Sequence, residues 1–301
     1  KGFAKEVMED AGVPTARNLS VARPPCVVKA DGLAAGKGVW VCRSHDELDA
    51  GLRAATALGQ PFHVEELLEG EEVSLFALCD GATAIPLPAV QDYKRIGDGD
   101  QGPNTGGMGS YSPVPRLPAA GVADLVDLVH RPVLAELVRR RMPFTGALFA
   151  GLMLTGDGPR VLEFNCRFGD PETQSLLPLL ESDLLEALAA AAAGELRGVA
   201  LTASERSAVT IVLAAGGYPE HGDVGTPIVG IEDAEATGAL VFHAGTALHE
   251  GRLVTNGGRI LGVTAVGDSL GGARAAAYDA ASRVDFAGVR YRSDIASLAH
   301  A

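Results

Sequence analysis

The chain has 301 residues, 47% of them apolar and 21% charged, with a formal net charge of −13. This length allows two or more compact units with sizeable cores. The acidic balance argues against nucleic acid or an anionic membrane as partner. No apolar run reaches membrane-spanning length, since the most Ala/Leu-rich segment, 184–193, carries Glu186 and is framed by Asp183 and Glu195. Cys26, Cys42, Cys79 and Cys166 lie far apart with no C-x-x-C pair. That pattern suits free thiols in a reducing compartment, hence a cytoplasmic protein, better than a zinc site or a disulfide framework. The sequence opens on Lys1 rather than Met, so a start upstream of Lys1 is expected.

In chain order, residues 2–11 (GFAKEVMEDA) predict an amphipathic helix with Phe3, Val7 and Met8 on one side, stopped by Gly12 and Pro14. Residues 26–30 (CVVKA) and 39–42 (VWVC) read as short strands joined by a small-residue loop, 31–38 (DGLAAGKG). Ser44 with Glu47 three residues later forms a capping box for a helix running to Leu58. Apolar runs at 62–68 and 73–79, with turns at Glu69-Gly70 and Asp80-Gly81, predict an α+β subdomain of two hairpins and a helix. The Gly-rich, charged stretch 91–109 reads as a long loop, which is uncommon unless functional. Helices follow at 119–141 and 176–193, then a linker near 194–207, several short strands, and a last helix near 268–283.

Two apolar runs flanking Thr155-Gly156-Asp157-Gly158-Pro159 predict a β-hairpin. Alternation on its second strand puts Leu162, Phe164 and Cys166 toward the core and Glu163, Asn165 and Arg167 on the other face. Glu and Asn oxygens suit Mg²⁺, which takes its remaining ligands from phosphates and water. An arginine two residues on can hold a phosphoryl group. The loop at 31–38 fails as a Walker A motif, because only Leu33, Ala34 and Ala35 separate Gly32 from Gly36-Lys37 and the loop joins strand to strand. Its glycines can still let backbone N–H groups approach phosphates, with Lys29 and Lys37 adding charge. The acidic cluster at 63–72 (HVEELLEGEE) reads either as a solvated turn or as a hinge strand that reads adenine. Gln91-Asp92-Tyr93-Lys94-Arg95 with Gly102-Pro103-Asn104-Thr105-Gly106-Gly107-Met108-Gly109 suggests a mobile loop closing over an anionic substrate.

Taken in order, residues 28–38, 65–72, 91–95, 102–113 and 163–174 resemble the glycinamide ribonucleotide synthetase (phosphoribosylamine–glycine ligase) family of ATP-grasp enzymes. Ala214-Ala215-Gly216-Gly217-Tyr218-Pro219, Phe242-His243-Ala244-Gly245-Thr246 and Thr255-Asn256-Gly257-Gly258-Arg259 extend the likeness to the end. The resemblance implies an α+β ATP-grasp fold, two α+β subdomains clamping ATP, plus a small mostly-β carboxy-terminal domain. Residues 1–19 and 89–198 would be the core subdomain, 20–88 the lid and 199–301 the last domain. The family's amino-terminal domain, ahead of the position of Lys1, is expected to be absent.

The implied activity is ATP-dependent ligation of glycine to 5-phosphoribosylamine through glycyl phosphate, with Mg²⁺ or Mn²⁺. By position, Glu163 and Asn165 resemble the metal ligands. Lys1, Lys29, Lys37 and Lys94 match lysines that contact ATP. Glu65 would take the adenine amine, Leu68 a ring nitrogen through its backbone, and Glu72 the ribose. Arg167 and Lys94 are the catalytic candidates, with Arg167 on the acyl phosphate. Asp92, Asn104, Thr105, Gly106, Gly107, Asp170 and Thr173 are candidates for the glycine and phosphoribosylamine side. The strand before Glu163 has no acidic residue in Phe149-Ala150-Gly151-Leu152, where many ATP-grasp enzymes carry a further metal ligand. A monomer or weak dimer is expected. ATP-grasp carboxylases and dipeptide ligases share the first chemical step, and glycine-specific ATP turnover separates them from this reading. A pure nucleotide-binding module would need no arginine at position 167.

Overall fold

The computed structural model describes residues 1–32 and 38–297. Helix α1 (Gly2–Asp10) buries Lys5, Val7 and Met8, whereas Phe3 is exposed beneath the Arg140 guanidinium. Strand β1 (Cys26–Ala30) is buried throughout and pairs antiparallel with β2 (Val39–Cys42). Helix α2 (His45–Ala57) packs Leu48 and Ala55 against Cys26, Val28 and Cys42. Its capping box is formed, with Glu47 N–H donating to Ser44 Oγ at 3.2 Å and Ser44 N–H to the Glu47 carboxylate at 3.0 Å. Strand β3 (Phe62–Glu66) completes a small sheet of order β2-β1-β3.

The chain then leaves that sheet. Strands β4 (Glu71–Asp80) and β5 (Ala84–Pro86) form a hairpin, followed by β6 (Gln91–Asp92), β7 (Arg95–Gly97), β8 (Gln101–Asn104) and β9 (Gly109–Ser112). Residues 91–109 are therefore not a structureless loop, because β7 and β8 make a two-stranded ribbon around a 3₁₀ turn at Asp98–Asp100. Helix α3 (Ala119–Arg139) precedes β10 (Thr145–Thr155) and β11 (Gly158–Asn165), the expected hairpin. Strand β4 pairs with β10 from end to end, in a sheet of order β11-β10-β4-β5. This corrects the two-hairpin subdomain. β4 is buried from Val73 to Cys79, which requires cover on both faces that a three-strand sheet with one helix does not supply.

The helix expected over 176–193 is broken into α4 (Glu172–Leu176), a 3₁₀ turn at Leu177–Leu179, and α5 (Leu184–Ala193). Pro178 has no N–H to carry the ladder onward. The remainder gives β12 (Ser207–Ala214), β13 (Asp223–Pro227), α6 (Ile231–Glu235), β14 (Leu240–His243), β15 (Thr246–His249), β16 (Arg252–Gly257), β17 (Arg259–Gly267) and α7 (Leu270–Ala281). Alanines at 273, 277, 280 and 281 let α7 lie close on a core that includes Ile211, Leu213, Leu261 and Val263. A five-stranded sheet runs β14-β17-β12-β9-β6, and β13-β16-β15 form a separate one.

Two compact units result. The first comprises Lys1–Pro86, Ala123–Arg167 and Leu185–Val199, and the second Leu87–Val122, Phe168–Leu184 and Ala200–Ala301. Residues 91–112, which the sequence groups with the ATP-grasp core, give β6 and β9 to the large sheet of the second unit. Among the described residues no helix is long and apolar enough to cross a membrane.

Candidate active site

In the first unit, chemistry gathers at the ends of β1 and β11. Lys29 lies on fully buried β1, so its ammonium must find partners inside. Its Nζ is 2.6 Å from Glu65 Oε2 and donates to the Leu162 carbonyl oxygen at 2.8 Å. That carbonyl is available because of a β-bulge. Gly151 faces Glu163 and Leu152 faces Val161, leaving Leu162 outside the ladder. Glu65 is only 3% exposed, and its Oε1 lies 3.1 Å from both Lys5 Nζ and His63 Nε2. Burial pushes the Glu65 pKa up, but the His63 hydrogen bond and the two ammonium groups outweigh it and hold the carboxyl at about 2. Lys1 Nζ donates to the Ala30 carbonyl oxygen at 2.7 Å, at the same end of β1.

Glu163 and Asn165 are half-buried at the close of β11, with Asn165 Nδ2 3.5 Å from Glu163 Oε1. No described cation pairs with Glu163, and the residue facing it across the hairpin is Gly151. Among the described residues no group of three or more His, Cys, Asp or Glu could hold a metal. A lone carboxylate beside an amide oxygen fits Mg²⁺ that completes its shell from phosphates and water. Cys166 is a correction: it is exposed, because β11 stops at Asn165 and the alternation does not reach it. Arg167 is exposed on the same segment.

Leu68 sits in the short connection from β3 to β4. Gly70 there has φ +159°, and a Cβ would meet the Leu154 carbonyl oxygen at 2.2 Å, so the connection presses directly on the hairpin. Leu68 lines a cavity of 660 Å³ together with Arg17, Glu66, Asp157 and Arg160. Lys29, Glu65 and Glu163 do not line it, so the ion network and this cavity are separate features of the unit. Glu72 stands near the start of β4, opposite Met153. Lys37 lies outside the described residues.

In the second unit, Lys94 Nζ is 3.1 Å from Asp92 Oδ1. The Gly-rich segment folds back on this pair. The Lys94 carbonyl oxygen accepts from Thr105 N–H at 2.7 Å and Thr105 Oγ1 at 2.8 Å, and Gly106 N–H donates to the Tyr218 hydroxyl at 2.9 Å. Gly107 has φ +117°, and a Cβ would stand 2.4 Å from Pro171 Cδ. Arg259 Nη1 donates to the carbonyl oxygens of Gly106 at 3.0 Å and Asp170 at 2.7 Å, while Nη2 lies 2.9 Å from Asp170 Oδ2. Asp170 Oδ1 accepts from Gln174, and the Thr173 hydroxyl donates to the Gly169 carbonyl oxygen, so both side chains shape the turn they occupy. Asn104 is exposed at the end of β8.

Sequence reasoning missed Lys5, His63, Tyr218 and Arg259 as parts of these networks. A lysine three residues before Met8 on the apolar side of α1 was the available sign for Lys5. His63 stands two residues before its partner Glu65, whereas nothing local marks Tyr218 and Arg259, whose partners are distant in sequence.

Lysines at the end of one strand and oxygen donors at the end of another are what a triphosphate needs, and the class built this way is the ATP-grasp ligases. Residues 1–173 match the phosphoribosylglycinamide synthetase ATP-grasp (A) domain and residues 208–298 the C domain of the same enzyme. The chain belongs to the phosphoribosylglycinamide synthetase family. It is 46% identical to the phosphoribosylamine–glycine ligase of Rhizobium meliloti, over 98% of this chain and 74% of that protein. It is 44% identical to the human trifunctional purine biosynthetic protein adenosine-3, over 98% of this chain and 31% of that protein. The crystal structure of the Thermotoga maritima phosphoribosylamine–glycine ligase superposes with a TM-score of 0.87 at 36% identity, covering 98% of this chain and 78% of that one.

Proposed function

We propose that this chain ligates glycine to 5-phosphoribosylamine at the expense of ATP, giving glycinamide ribonucleotide, ADP and phosphate, in purine biosynthesis. The carrying observation is the Lys29 ammonium, which ties the Glu65 carboxylate to the Leu162 carbonyl oxygen immediately before Glu163. That one contact gathers nucleotide-side and phosphate-side groups within a segment matching an ATP-grasp domain. A carboxylate acylates poorly because oxide would have to leave. A glycine carboxylate oxygen therefore attacks the γ-phosphorus and ADP departs. The phosphoribosylamine nitrogen then attacks the acyl carbon, phosphate leaves, and the nitrogen gives up a proton.

Lys1 and Lys29 carry the positive charge that draws phosphates into an otherwise acidic protein. Lys37 belongs to the same set by sequence. Glu65, Leu68 and Glu72 take the nucleoside, with Leu68 contributing its backbone. Glu163 and Asn165 would hold Mg²⁺ or Mn²⁺, which when bound offsets charge on the phosphates. Arg167 stabilises the acyl phosphate. Asp92, Lys94, Asn104, Thr105, Gly106, Gly107, Asp170 and Thr173 serve glycine and phosphoribosylamine, with Lys94 neutralising developing charge. A cytoplasmic location accords with the free thiols. The deciding experiment measures ADP release with Mg-ATP and glycine, with and without phosphoribosylamine generated in situ. Release that needs both substrates supports the ligase. Release with glycine absent, or with another acid in its place, refutes it.

A further inference from the structure

Lys5 is the one charged residue on the buried side of α1. Its ammonium has three protons, and three acceptors surround it: Thr15 Oγ1 at 3.1 Å, the Ala16 carbonyl oxygen, and Glu65 Oε1 at 3.1 Å. No donor is left over. Lys29 differs. Among the described residues it has two acceptors, Glu65 Oε2 and the Leu162 carbonyl oxygen, which leaves a proton for something else. The two oxygens of Glu65 are therefore unequal. Among the described residues, Oε1 is held by Lys5 and His63, and Oε2 by Lys29 alone.

We propose that Lys5 is a positioning residue, a fixed counter-ion of Glu65 that lets Lys29 leave Oε2 for the phosphates of ATP while the vacated oxygen accepts the adenine amine. This rests on the ATP-dependent function above. Stripping a buried carboxylate of its cation is strongly unfavourable, which would pin Lys29 in place were it the sole partner. With Lys5 behind it, Glu65 stays paired throughout. The exchange then conserves interactions on both sides. At Oε2 one N–H donor replaces another, and at Lys29 a phosphate oxygen replaces a carboxylate oxygen. Lys5 cannot make the move itself, because Thr15 and Ala16 hold its remaining protons.

The test uses the full chain, calorimetric titration with Mg²⁺ and a non-hydrolysable ATP analogue, and thermal melts alongside. Lys5→Met is expected to weaken the analogue by about tenfold or more. In a Glu65→Gln background the same change is expected to alter affinity by less than about twofold, because a neutral amide needs no counter-ion. Equal losses in both backgrounds, or no loss from Lys5→Met, overturn the proposal. Should Lys5→Met fail to fold, the unmodified chain decides. A structure with the analogue bound is expected to keep Lys5 on Glu65 and to have Lys29 on a phosphate; Lys29 still on Oε2 overturns the exchange. An unmodified chain that binds no analogue sinks the ATP reading itself, an outcome distinct from all of these.

Discussion

Glu163 has one described side-chain hydrogen bond, accepted from the Asn165 amide. Glu163→Gln keeps shape and removes charge. Turnover is expected to drop by roughly a hundredfold or more with the melting temperature unchanged. Parallel assays of ADP release and thermal melting check both halves, and retained turnover would remove Glu163 from the site. His130 shows the opposite, a titratable group with a structural effect. It is fully buried, its Nε2 lies 3.1 Å from the Leu148 carbonyl oxygen, and its ring meets Phe164 edge-on. Burial pushes its pKa down from 6.5 to about 4, against the weaker pull of the Leu148 carbonyl. The unfolded chain therefore binds this proton first. Stability is full above pH 6.5 and falls as pH drops toward 4, by about 3 kcal/mol if the site stays intact. His130→Leu should flatten that part of the melting-temperature profile, and an unaltered profile would assign the loss elsewhere.

At the scale of elements, a buried hydroxyl chain binds α4 to the large sheet of the second unit. Ser110 Oγ donates to the Pro171 carbonyl oxygen at 2.8 Å. Ser110 and Ser175 hydroxyls are 2.8 Å apart, Ser175 and Thr210 2.7 Å, and Thr210 and Thr264 2.7 Å. Four buried hydroxyls, three on the sheet and Ser175 on α4, are stable because each has a partner in the next. Thr210→Val breaks the middle of the chain and should cost about 1–3 kcal/mol in chemical denaturation, since Ser175 and Thr264 lose a partner without access to water. A cost near zero would mean the neighbours re-pair. Gly107, between β8 and β9, packs against the turn that this chain supports. Gly107→Ala puts a methyl group into Pro171 at a backbone angle that disfavours any side chain. The expected result is a raised KM for glycine. A KM that does not move would separate this loop from substrate binding.

For the molecule as a whole, acid stability should decline in two stages. Above pH 6.5 neither His130 nor Glu65 contributes a slope. The first loss, between 6.5 and about 4, belongs to His130. The second, from 4.5 toward 2, is shared by Glu65 and Glu136, whose folded pKa values are both depressed to about 2, so their stabilisation exists above 4.5 and disappears as the carboxyls are protonated. Glu65→Gln should shrink the second stage and leave the first. A single transition unaffected by either substitution would place the acid lability in other groups.

Local chemistry made much of this protein legible in its sequence. The capping box at Ser44 and Glu47, the turn at residues 155–159 and the Glu163–Asn165 spacing act over a few residues, so their pattern alone fixes α2 and the β10–β11 hairpin. The order of the motifs at 28–38, 65–72, 91–95, 102–113 and 163–174 identified the family. What sequence could not decide was partner choice over long separations. Strand β4 has the same apolar run whether it pairs with β3 or with β10, and the length of buried strand available at β10 decides it. Residues 91–109 look like a loop until β7 pairs with β8 and β12 offers an edge for β9. Lys5 and Lys29 lie in different elements, and only the fold sets both against Glu65, because a buried charge takes whatever counter-charge the packing brings to it.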